Sequence, residues 1–159
     1  MTHKILITGA SGFIGSFLVE RALALGMETW AAVRPTSSRQ YLKDERIHFI
    51  TLNLGNEKEL YTQLKQHLDA EGRPFDYVIH AAGATKCRHA ADFFSINAEG
   101  TERLALSLRL TGALKAEGRF VFISSLSVMG PAHEHNNMPI TEHDLPVPNT
   151  AYGASKLQA

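Results

Sequence analysis

The chain has 159 residues, 44% of them hydrophobic and 20% charged, and its 16 basic side chains balance 16 acidic ones. This is the composition of one soluble globular domain, and zero net charge removes any bulk electrostatic case for nucleic acid or a membrane surface. The single cysteine, Cys87, excludes an internal disulfide and a cysteine-rich metal site, and fits a reducing, cytoplasmic compartment.

The N-terminus runs straight into residues 4–8 (KILIT), a β-branched run that reads as a buried parallel strand, with no leader pattern before it. No apolar run in the chain reaches the roughly 18–20 residues that span a bilayer. Ile14, Leu18, Ala22 and Leu25 then recur at helical spacing, and Gly26 closes that helix. Residues 29–33 form a second strand and 47–54 a third. Asn56 is an N-cap, followed by a helix marked by Leu60, Leu64 and Leu68. A fourth strand covers 77–81, a long helix runs over about 92–110 to Gly112, and a fifth strand covers 119–124. Four prolines punctuate a loop over 130–151, and a last helix starts near Tyr152. Strands alternating with helices predict an α/β, Rossmann-type, doubly wound parallel sheet, with ligands bound beyond the carboxyl ends of the strands.

The first strand leads into Gly9-Ala10-Ser11-Gly12-Phe13-Ile14-Gly15, which opens the first helix. In that context the glycines provide a tight turn and a close backbone approach, and the helix N-terminus offers unpaired N–H groups to a pyrophosphate. The second strand ends in Val33-Arg34-Pro35 with no carboxylate to hold a ribose 2′-hydroxyl. Arg34, with Ser37, Ser38 and Arg39 nearby, suits a 2′-phosphate, which favours NADP(H). NAD(H) remains open, because Arg34 could instead stack on adenine. Tyr152 and Lys156 are four apart at a helix start, so they share a face. A lysine cation there lowers a phenol's pKa and makes it a general acid or base. Ser124 and Ser125 end the fifth strand, where a hydroxyl could bond a substrate oxygen or simply cap a turn. His133 and His135 flank Glu134, but no further ligand has a defined spacing, so no metal is expected. His80 reads as a packed, hydrogen-bonded core residue, and Phe93 and Phe94 as helix packing.

Taken in order, Thr8-Gly9-x-x-Gly12-x-x-Gly15, His80-Ala81-Ala82-Gly83, Asn97-Ala98-Glu99-Gly100-Thr101, Ser124-Ser125-Leu126-Ser127-Val128-Met129-Gly130 and Tyr152-Gly153-Ala154-Ser155-Lys156 closely resemble the extended short-chain dehydrogenase/reductases. The closer resemblance is to their NAD-dependent epimerase/dehydratase branch, and it covers essentially the whole chain. It implies that Gly9, Gly12, Phe13, Ile14 and Gly15 hold the pyrophosphate, that Asn53 and Leu54 lie against adenine, and that Ala81, Ala82 and Gly83 line the cofactor. It implies further that Asn97 supports the site geometry, that Ser125 polarises the substrate oxygen, and that Tyr152 is the acid/base. Lys156 would bond the nicotinamide ribose and tune Tyr152. Asn53 departs from the family's frequent aspartate, keeping an acceptor without the charge. Met129 replaces a frequent tyrosine. Leu126 and Ser127 stand where nucleotide-sugar dehydratases often carry Asp-Glu, which argues against 4,6-dehydration. Val33-Arg34 is similar to the NADPH-using carbonyl reductases of the superfamily.

The expected function is hydride transfer between a nicotinamide and a carbonyl or alcohol substrate, nucleotide sugars among the candidates. The alternative is a non-catalytic NADPH-binding sensor or scaffold. Chains of the family run much longer than this one. Residues 1–159 are therefore expected to be an incomplete NAD(P)-binding domain, truncated before the C-terminal strands and the substrate lobe and inactive alone, with Tyr152 and Lys156 displaced or poorly ordered. A homodimer is compatible with the full-length protein.

Overall fold

The computed structural model describes residues 2–131 and 138–159; the His133–His135 pair lies outside them. Five parallel strands, β1 (Lys4–Thr8), β2 (Glu28–Val33), β3 (His48–Thr51), β4 (Phe75–His80) and β5 (Leu114–Phe122), form one sheet in the order β3-β2-β1-β4-β5. The connecting helices are α1 (Phe13–Ala24), α2 (Glu57–Glu71), α3 (Ala90–Phe93), α4 (Gly100–Thr111) and α5 (Ala151–Gln158). Strand order reverses between β1 and β4, and in such a sheet the crevice at the reversal is where ligands bind. No helix among the described residues is long and apolar enough to cross a membrane.

The chain divides into two compact units, Met1–Gly83 with Arg103–Ile123 and Ala84–Glu102 with Ser124–Ala159. In the first, the period-two alternation of strand side chains builds a core on each face of the sheet. Leu6, Trp30, Ala32 and Ile50 pack with Leu60 and Leu64 of α2 and Leu104 and Leu108 of α4. Ile5, Ile7, Ala31 and Val33 pack with Val19, Ala22 and Leu23 of α1. Both faces of β1 and β2 are therefore covered, which is why these strands read as continuous apolar runs rather than alternating ones.

Several boundaries differ from the sequence expectation. β3 stops at Thr51 because Asn53 turns the chain into α2: Gly55 N–H donates to Asn53 Oδ1 at 3.1 Å, and Asn56 caps the helix by accepting from Glu59 N–H at 3.0 Å. β5 starts at Leu114, with a register irregularity opposite Phe75 and Tyr77, and stops at Phe122. Ser125 thus lies beyond the strand and caps a 3₁₀ turn, Leu126–Val128, accepting from Ser127 N–H at 3.2 Å. The long helix expected over 92–110 is three segments, with a π-helical stretch, Phe94–Glu99, between α3 and α4. Tyr152 and Lys156, expected to be displaced or poorly ordered, lie on a formed helix whose N-cap, Thr150, accepts from Gly153 N–H at 3.0 Å.

Candidate functional site

Two stretches of the first unit meet at the sheet reversal. Gly9 takes φ +66°, and a Cβ there would lie 2.6 Å from Ala81 C and Ala82 N. Glycine is required on both counts, since a side chain is strained at that φ and the loop runs directly against the end of β4. A Cβ on Gly15 would lie 2.0 Å from Gly9 O, so α1 starts in backbone contact with the loop. The N-cap residue is Gly12, which has no side chain to accept from the first-turn amides. The N–H groups of residues 13–15 are thus left for an anion at the positive end of the helix dipole. Phe13 and Ile14 expose their side chains, Phe13 resting edge-on against Phe17, so their contribution to an anion comes from the backbone. These residues fit a diphosphate through their bare backbone, in a loop packed so closely that a Cβ at position 9 or 15 would strike the chain's own backbone.

The β4 end of the cradle is held by side chains. Thr8 Oγ1 and the buried His80 Nδ1 share a hydrogen bond of 2.6 Å, and Ala82 N–H donates to the same Thr8 oxygen at 3.3 Å. His80 is accordingly a core residue that, through Thr8, holds Ala81 and Ala82 against β1.

At the ends of the neighbouring strands β2 and β3, Arg34 and Asn53 are both exposed. Arg34 and Ser37 close a turn: Arg34 N–H donates to the Ser37 side-chain Oγ and Ser37 N–H to Arg34 O, each at 3.0 Å. The expected cluster of donors is thinner than its composition suggests. Arg39 lies over the Phe49 ring at 4.1 Å, and Ser38 Oγ accepts from Gln40 N–H. Leu54 packs against the core, and its carbonyl accepts from Arg103 Nε at 2.9 Å.

In the second unit, Asn97 occupies the π-helical stretch and is 1% exposed. Its Oδ1 accepts from Ala84 N–H at 2.7 Å, and its Nδ2 donates to Ala84 O at 3.1 Å and to Ser155 Oγ at 3.0 Å. Ser155 Oγ in turn donates to Tyr152 O at 2.8 Å. The asparagine therefore fastens α5 to the segment that follows the sheet, at the residue preceding Lys156. A π turn shifts the side chains that follow it relative to a regular helix, and such turns recur at functional sites. The 3₁₀ turn after Ser125 meets the same helix: a Cβ on Gly153 would lie 2.3 Å from Ser127 O. Phe93, expected only to pack a helix, sets its ring edge-on to Tyr152, centroids 6.0 Å apart.

Lys156 is 6% exposed, and burial pushes its ammonium down to about 8. Cys87 is pushed up by burial and by the Asp92 charge beside it. Sequence reasoning named Asn97, Ser125, Tyr152 and Lys156 but passed over Ser155, which links two of them. Its signal was its place inside Tyr152-Gly153-Ala154-Ser155-Lys156, on the turn that Asn97 must reach. Among the described residues no cluster of three or more His, Cys, Asp or Glu side chains could hold a metal.

Comparison with known proteins agrees with this geometry. Residues 5–159 match the NAD dependent epimerase/dehydratase family. The chain is 33% identical over 163 residues to GDP-6-deoxy-D-mannose reductase of Pseudomonas aeruginosa, covering all of this chain and 45% of that protein. It is 29% identical over 128 residues to ceramide reductase of Caulobacter vibrioides, covering 80% of this chain and 36% of that one. Among solved structures, the Bordetella bronchiseptica enzyme WbmG in complex with NAD and UDP superposes with a TM-score of 0.76 at 25% identity, over 99% of this chain and 48% of that one. The chain thus spans less than half the length of each of these relatives. The five motifs, the parallel sheet with its glycine cradle and the match over residues 5–159 make this chain a member of the NAD-dependent epimerase/dehydratase family.

Proposed function

We propose that the full-length protein is an oxidoreductase or epimerase that binds a nicotinamide dinucleotide, NADP(H) in preference to NAD(H), and acts on a small-molecule carbonyl or alcohol. The observation that carries the catalytic reading is Lys156, buried one helical turn after Tyr152 on a helix that Asn97 fastens through Ser155. Buried groups with shifted titration cluster at functional sites. The cofactor reading rests on the bare backbone of Gly9, Gly12 and Gly15 and on Ala81 and Ala82 packed against it. The NADP(H) preference rests on an exposed Arg34 and the absence of a carboxylate at the end of β2. Nucleotide-sugar substrates are suggested by the GDP-sugar reductase relative.

In this reading a bound nicotinamide would supply or accept hydride at its C4. Ser125 keeps its O–H donor while its oxygen accepts from Ser127 N–H, so the hydroxyl can bond a substrate oxygen and cap its turn together. Tyr152 moves the proton to or from that oxygen. Lys156 retains its charge at neutral pH, on the face of α5 that carries Tyr152. A reductase would release the product at this point; an epimerase would re-reduce the keto form from its other face.

The test is Tyr152→Phe in the full-length protein. Turnover should fall by roughly 10²- to 10⁴-fold, the usual worth of a general acid or base, with dinucleotide affinity unchanged. Undiminished turnover would remove Tyr152 from the chemistry. Tighter binding of NADH than of NADPH would refute the Arg34 assignment.

A further inference from the structure

The backbone of Asn97 is supported by a residue that the catalytic reading does not use. The Asn97 carbonyl accepts from Gly100 N–H, three residues on, and from Thr101 Oγ1, four residues on, at 2.5 Å. A regular α-helix would bring the amide of residue 101 to that carbonyl, and a π-helix the amide of residue 102. Neither of these two donors follows either pattern, and one of them is a side chain. Thr101 is 3% exposed, so its hydroxyl has no bulk water to donate to instead. A threonine hydroxyl that bonds back to the carbonyl four residues earlier bends a helix. Here it does so where the π stretch, Phe94–Glu99, passes into α4.

We propose that Thr101 is a positioning residue for α5: its buried hydroxyl holds the π turn at Asn97, and the turn aims the asparagine amide that fastens that helix. The inference rests on the catalytic reading above. The aim matters because the amide is matched in both directions. Oδ1 meets Ala84 N–H, while Nδ2 meets Ala84 O and Ser155 Oγ. Turned over, the amide would set acceptor against acceptor and donor against donor. A π turn holds one residue more than an α turn. Relaxing it would swing Asn97 relative to α4 by an angle on the order of 100°, one residue's share of an α-helical turn, and the three bonds would be lost together. Thr101 thus acts on Tyr152 through Asn97 and Ser155, whose hydroxyl donates to the Tyr152 carbonyl.

Thr101→Val keeps the shape of the side chain and removes the hydroxyl, whereas Thr101→Ser keeps the hydroxyl and removes the methyl. Both are made in the full-length protein, and amide hydrogen exchange is followed at residues 153–158. Loss of one buried hydrogen bond should accelerate exchange there about three- to tenfold in Thr101→Val, with the β1 and β4 amides unaffected and Thr101→Ser within about twofold of wild type. Two further readouts separate positioning from packing. In Thr101→Val kcat should fall while the KM for the dinucleotide holds, since the glycine loop belongs to the first unit. The Lys156 side chain should titrate above its value of about 8, toward 10.5, as water reaches it. Unchanged exchange in Thr101→Val overturns the inference. So does a serine variant as loosened as the valine one, which assigns the effect to the methyl. Protection lost throughout the sheet makes Thr101 a residue of the whole fold and overturns it too, as does faster exchange with kcat and Lys156 unmoved. Undiminished turnover in Tyr152→Phe sinks the catalytic reading instead, and leaves the hold of Thr101 on α5 to stand on the exchange rates and the Lys156 titration.

Discussion

Replacing Asn97 with alanine tests the arrangement on which the catalytic reading depends. The asparagine is 1% exposed and makes three hydrogen bonds, two with the Ala84 backbone and one with Ser155. Its loss leaves Ala84 N–H and Ala84 O without their partner in a part-buried setting, and removes a donor to Ser155 Oγ. A donor or acceptor left unpaired in that way costs about 1–3 kcal/mol. Water reaches part of Ala84, so a net cost of about 2–3 kcal/mol is expected. α5 has only eight residues, too few to hold as an isolated helix, so the cost should appear there first. Hydrogen exchange of the amides of residues 153–158 reads it directly. At about 1.4 kcal/mol per decade, their exchange should accelerate roughly 30- to 150-fold, with the β1 and β4 amides unaffected. Asn97→Asp should not rescue it, because a carboxylate replaces the Nδ2 donor to Ala84 O and Ser155. Acceleration below about threefold, or equal acceleration throughout the sheet, would show that Asn97 does not fasten α5.

Gly15→Ala places a Cβ 2.0 Å from Gly9 O. It should abolish dinucleotide binding in titration and cost stability in denaturant, whereas wild-type affinity in the variant would refute the cradle. Lys156 should titrate near 8 by NMR of its side chain. The unfolded chain holds the proton that the folded one releases between about 8 and 10.5, so this group makes stability rise with pH across that window, and its burial penalty is complete below pH 8. Lys156→Met should flatten the rise, and a midpoint at 10 or above would contradict the burial. His67 stacks on Phe75 and sits edge-on to Trp30; burial, aided by the Lys4 charge, holds its imidazole down at about 4. It stays neutral in the folded chain while the unfolded chain protonates below the ordinary value of 6.5, so stability should fall as pH drops from 6.5 toward 4. His67→Phe should remove that slope in acid denaturation, and an unchanged slope would assign it elsewhere.

Local chemistry made much of this protein legible in advance. Gly9-x-x-Gly12-x-x-Gly15 between an apolar strand and an amphipathic helix is read from neighbouring residues alone, because backbone freedom and helix dipoles are local properties. Strand type followed from continuous apolar runs, and Asn56 and Gly26 marked helix ends by their own side-chain or backbone preferences. Tertiary structure decided what depended on residues far apart in sequence. Asn97 reaches Ser155 across 58 positions, and no periodicity announces the π turn that carries it, since its cost is repaid by contacts outside the helix. Ser125 was read as the end of a strand, and only the fold shows it capping the turn that packs on Gly153. Asn53 looked like an aspartate that had lost its charge. The structure places the charge on Glu59, six residues away on the next helix, where only the turn at the end of β3 could bring it.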